Sequence, residues 1–111
     1  MENDAFFKDY RSFVSFRPDR YGKATLFGNE HMLVGLNCLQ PGQEMQKHAH
    51  EVQYRFYIVL EGTGQIWVGE EQKEAGTGMV IWVPAGFTHR VVNNGITQLV
   101  MLVGFAPSKA D

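Results

Sequence analysis

The chain has 111 residues, enough for one small core, with a net charge of −2 and 44% hydrophobic residues. That balance gives no general attraction to nucleic acid or to an anionic membrane, and no run approaches the ~20 apolar residues of a spanning helix. One cysteine forms no internal disulfide, and the acidic start Met1-Glu2-Asn3-Asp4 lacks the basic-then-apolar build of a signal peptide, so cytoplasmic residence is expected.

Residues 1–20 read as an N-terminal extension and residues 21–111 as a single domain. In the extension Phe6, Phe7, Tyr10 and Phe13 recur at near-helical spacing. Asn3 or Asp4 is placed to cap a short helix, and Phe16 and Pro18 end it. The aromatics are expected to pack on the domain or on a partner subunit; a lid over a pocket mouth is the alternative.

From Lys23 the pattern changes to strands and turns. Ala24–Phe27 and His31–Leu39 flank the hairpin connection Gly28-Asn29-Glu30. Pro41-Gly42 turns the chain into a strand carrying His48 and His50. Arg55–Leu60 is β-rich, and Glu61 to Gly64 turn it into Gln65–Val68. Further turns are expected at Gly69-Glu70-Glu71 and Gly76-Thr77-Gly78. Met79–Val83 leads to the bend Pro84-Ala85-Gly86 before His89, Asn93-Asn94-Gly95 is a turn, and Gln98–Phe105 closes the series. Eight or nine short strands at regular spacing predict an all-β sandwich or barrel.

Side chains two apart on a strand share a face. His48 and His50 therefore point the same way, and His89 arrives from a distant strand. Neutral imidazole is the commonest metal ligand, and a site needs three or more converging donors. The three histidines thus read as one site for a divalent transition metal. Nitrogen donors suit Fe, Mn, Ni, Cu or Zn without choosing among them. His31 has no partner motif and reads as structural. Cys38, on an apolar strand, reads as a buried small hydrophobe. Met32, Met45, Met79 and Met101 are expected to fill the core.

Two blocks carry a resemblance. Gly78, Pro84, Gly86, His89 and Asn93 match every defined position of G-x5-P-x-G-x2-H-x3-N, and Gly42, His48, His50 and Gly62 match G-x5-H-x-H-x(3,4)-E-x6-G except at its glutamate. The chain resembles the cupin family over residues 42–93, and the flanking strands extend the likeness over most of its length. The resemblance implies a single-domain jelly-roll β-barrel with a short N-terminal extension, commonly a homodimer paired through its sheets. The expected partner is a small-molecule ligand or substrate. The family hosts oxygenases, isomerases, cyclases, lyases and binding proteins, so the fold does not fix the chemistry. The expected function is a metal-dependent enzyme, dioxygenase-like or isomerase/cyclase-like, acting on a small organic molecule; the alternative is a non-catalytic metal- or ligand-binding sensor.

The departure falls at Arg55, where the family pattern places its acidic ligand. A guanidinium has no acceptor lone pair and cannot coordinate. Gln53, three residues after His50 and of the same strand parity as Arg55, is the candidate fourth ligand through its amide oxygen. Glu51 has the opposite parity to His50 and is the weaker candidate. Arg55 itself faces either inward, beside an anionic substrate, or outward into solvent; the cost of an unpaired guanidinium beside a cation favours outward.

Overall fold

The computed structural model describes residues 5–109. The strands are β1 (Gly22–Gly28), β2 (Leu33–Leu39), β3 (Glu44–Ala49), β4 (Tyr54–Glu61), β5 (Thr63–Val68), β6 (Glu71–Gly76), β7 (Val80–Val83), β8 (Thr88–Val92) and β9 (Leu99–Ala106). They form a five-stranded sheet, β1-β2-β9-β4-β7, facing a four-stranded sheet, β3-β8-β5-β6. Every strand pair is antiparallel. The chain is the expected all-β jelly-roll barrel.

The sequence explains the layering. On β4 the residues Arg55, Tyr57 and Val59 are buried and their neighbours are not, the period-two signature of a strand with one face inside. β9 is buried almost throughout, as a central strand covered on both faces must be. One core lies between the sheets and includes Leu39, Met45, Tyr57, Val91, Leu99 and Met101. A second, of Leu26, Leu36, Cys38 and Val100, lies on the other face of the larger sheet. Tyr10, Phe13, Val14 and Phe16 pack against this second core. Residues 10–16 of the extension therefore cover the sheet, as the packing alternative expects. The extension's helix is shorter than the aromatic spacing suggests. It is a single 3-10 turn, Tyr10–Phe13, capped by the Asp9 carboxylate. Phe6 and Phe7 stand exposed outside it, and the proposed caps Asn3 and Asp4 lie outside the described residues.

Two smaller expectations also change. β2 starts at Leu33, not His31, because the Asn29 side chain accepts from the backbone N–H of His31 and of Met32 and holds both in the turn. Met45 and Met101 are core residues, but Met32 and Met79 are exposed.

Candidate metal centre

A β-bulge brings the first histidine to the site. Met45 pairs with Val91 and His48 with His89, so three steps on β3 match two on β8. Residues three apart on a regular strand point to opposite faces. The extra residue turns His48 round to the side that Met45 occupies, and both line one cavity. His50 follows by the two-residue rule just past the end of β3. The Gly86 N–H, in the bend with φ +85°, donates to the His50 carbonyl at 2.8 Å and ties the two motifs together. A further tie is Asn93, fully buried. Its Nδ2 donates to the carbonyls of Leu39 at 2.9 Å and Thr97 at 3.0 Å, and its Oδ1 accepts from the Gly95 N–H. Beyond holding its own turn, as expected, Asn93 anchors the start of β8's return to the end of β2.

The candidate ligand atoms of His48, His50 and His89 lie within 4.8 Å of one another. The His48 and His89 ring centres are 4.3 Å apart, and those of His48 and His50 4.8 Å. The Nδ1 of His48 faces the Gln46 carbonyl at 2.9 Å, which leaves Nε2 for an ion. His89 is buried, and among the described residues neither ring nitrogen has a hydrogen-bond partner. An unpaired buried polar group is costly, and a metal ion is the partner that suits two more imidazoles beside it. The donor set fits a divalent transition ion such as Zn(II), bound at about 2.0–2.1 Å from nitrogen.

Burial lowers the His89 pKa from its ordinary 6.5 to about 4, with further contributions from His48, Arg55 and His50. Burial, Arg55 and His48 also lower that of His50. Both rings are held neutral near pH 7, the form that binds metal. In the metal-free protein the unfolded chain takes up the His89 proton near pH 6.5 and the native chain only near pH 4. Stability is therefore fully present above about 6.5 and falls as pH drops toward 4. Melting of EDTA-treated protein across this range should show that fall, and His89→Leu should flatten it.

Arg55 faces inward, contrary to the expectation from its charge. It is 8% exposed and lines a cavity of about 330 Å³ together with His48 and His50. Parity places it there, on the same face as Tyr57 and Val59. Three neighbours offset its burial. Nη2 donates to Gln53 Oε1, Nη1 donates to the Tyr57 hydroxyl at 3.3 Å, and the guanidinium lies 4.7 Å from the Phe105 ring centre, a cation–π contact. Gln53 is buried with Arg55, as their shared parity implies. Its Nε2 donates to the Pro107 carbonyl at 3.0 Å. Glu51 is exposed. His31 is an exposed turn residue near Glu30, and Cys38 is fully buried, both as expected. Lys23, Asn37 and Phe105 also line the cavity. No motif marks these three; the pairing of β1, β2 and β9 brings them there.

A small jelly-roll barrel with three histidines converging beside a cavity is a cupin-like domain whose histidines could hold a metal ion. The cupin domain family model matches residues 35–105, and the chain belongs to the cupin family. An uncharacterized protein of Streptomyces coelicolor is 34% identical over 80 residues, covering 72% of this chain and 74% of that one. The crystal structure of the protein TT1209 from Thermus thermophilus is 36% identical, covers 91% of this chain and 96% of its own, and superposes with a TM-score of 0.88. An RmlC-like cupin from Shewanella frigidimarina shares the fold at 20% identity, with a TM-score of 0.81 over 98% of this chain and 96% of its own.

Proposed function

We propose that this cupin is a metal-dependent enzyme acting on a small organic molecule, with His48, His50 and His89 as the metal ligands. The observation that carries the reading is the shared cavity, lined at once by two of the histidines and by the buried Arg55. A site built only to store an ion needs neither the cavity nor the cation. The ion is Fe, Mn, Ni, Cu or Zn; bound there it supplies Lewis acidity or, if redox-active, chemistry with O2. The chain's own groups bind and orient the organic molecule against it. Gln53 enters as the fourth donor: its Oε1 already accepts from Arg55, and an ion would take the second lone pair.

The reaction is either dioxygenase-like or isomerase/cyclase-like. Protein loaded with Fe(II) under air, with oxygen uptake and product mass followed across a set of small organic acids, sugars and phenols, separates these. Uptake of O2 with a product gained in mass supports the first, and an isobaric product the second. Ligand binding without turnover for every metal would make the protein a sensor instead. We further propose a cytoplasmic homodimer. The exposed Val80 and Trp82 on edge strand β7, with Tyr54 stacked on Trp82 at 5.9 Å, support the pairing. A monomer in sedimentation equilibrium at tens of micromolar would exclude it.

A further inference from the structure

Arg55 carries a buried charge for which the described residues supply only neutral partners. Among the described residues no carboxylate pairs with it; its partners are an amide oxygen, a phenol and an aromatic face. A guanidinium has five N–H donors, and here the Nε–H has no hydrogen-bond partner among the described residues. An uncompensated buried cation is unfavourable, and truncating or supplying its partner has large effects. The cavity wall adds a second unsatisfied group: Asn37 is 5% exposed and its Oδ1 accepts nothing. Both side chains line the same cavity as His48 and His50, and among the described residues the other charged one on its wall is Lys23. None of the described lining residues is acidic.

We infer that this cavity binds a small organic monocarboxylate bearing a hydroxyl, its carboxylate held by Arg55 and its hydroxyl directed to Asn37. The inference rests on the proposed metal site, since three neutral imidazoles leave an ion's charge uncompensated and favour an anionic ligand in the adjoining cavity. The carboxylate itself is recognised by Arg55 with or without the ion. A planar carboxylate matches the fork of a guanidinium, and a single negative charge balances the single buried cation. In the metal-free protein a phosphate dianion would bring a second charge that, among the described lining residues, only the exposed Lys23 could meet. Arg55 is thus a specificity-determining residue in the place where relatives of this pattern carry an acidic ligand.

Titration calorimetry with lactate, lactamide and propionate tests this, in EDTA-treated protein and again after Mn(II) loading. Lactate should bind both forms, and lactamide, the same size without the charge, should bind about tenfold more weakly or worse, as charge-assisted pairs are roughly twice as strong as neutral ones. Propionate should fall between them, and Asn37→Ala should erase its difference from lactate. Arg55→Gln should weaken lactate by a similar factor, and Arg55→Lys should restore part of the loss, with melting curves confirming that both variants fold. The comparison of lactate with lactamide needs no variant, so a misfolded Arg55→Gln leaves the test intact. Equal binding of lactate and lactamide, or no lactate binding in either form, overturns the inference even if Mn(II) binds. Charge-selective binding in a protein that takes up no Mn(II) would instead keep the inference and remove the metal site.

Discussion

His89→Ala should strip the metal from the protein while the barrel stays folded. His89 sits at the base of the triad, buried and with neither nitrogen in a well-formed hydrogen bond among the described residues, so both remain available to an ion. Changing the groups that merely orient a ligand lowers metal affinity by about 10–100-fold, and removing a ligand outright should exceed that range. Elemental analysis after dialysis should fall from near one ion per chain to a trace. The fold should survive because two effects oppose each other. The substitution leaves a cavity, but it also removes two buried unpaired nitrogens, each of which costs on the order of 1–3 kcal/mol in the metal-free protein. A ligand that binds only the native state stabilises it by about 2.7 kcal/mol at a hundred times its Kd. Added metal should accordingly raise the melting temperature of the wild type and leave that of His89→Ala where it was. Unchanged metal content in the variant would remove His89 from the site.

A loss of stability as large as that from truncating a core side chain is expected at a glycine. Gly62 joins β4 to β5 at φ +82°, and a Cβ there would lie 2.1 Å from the Gln98 carbonyl oxygen and 3.2 Å from the Leu99 Cα. The obstacle is backbone at the start of β9, so no side chain can swing aside. The left-handed conformation alone costs a non-glycine residue roughly 1–2 kcal/mol, and the clash adds to it. Gly62→Ala should cost about 3–5 kcal/mol, a large part of the 5–15 kcal/mol typical of a whole domain. Gly42 supplies the control. It also has a positive φ, +91°, but nothing lies within 4 Å of its added Cβ. Gly42→Ala should cost only the conformational penalty. Urea unfolding of the two variants reads the difference, and equal midpoints would show that close approach to β9 is not what requires glycine at position 62.

The strand series and the convergence of His48, His50 and His89 were legible because they depend on local rules. Two-residue parity aims the first pair, and the Pro84-Ala85-Gly86 bend starts the strand that brings the third. The bulge after Met45 was not legible, since an extra residue on β3 is defined only by its pairing with β8. Arg55 is more instructive. Its direction was open in the sequence, and the expected cost of burial argued for outward; on the strand it shares the buried face of Tyr57. Parity prevailed because Tyr57, Gln53 and the Phe105 ring opposite on β9 share the charge. Phe105 is fifty residues away in sequence and no motif announces it. The N-terminal helix was overread for a similar reason. Phe6 and Phe7 fit the spacing, but only Tyr10 onward has a surface to pack on.

Crystals of the wild-type protein grown with Zn(II) or Mn(II), with data collected at the absorption edge of the metal, show whether the three histidines hold an ion. One anomalous peak per chain is expected, enclosed by His48 Nε2, a His50 nitrogen and a His89 nitrogen, at about 2.0–2.2 Å from each. The same map locates Gln53 Oε1: within that range it is the fourth ligand, and beyond about 3 Å it serves Arg55 alone. No peak between the three histidines at saturating metal, or a peak at another position only, would contradict the account.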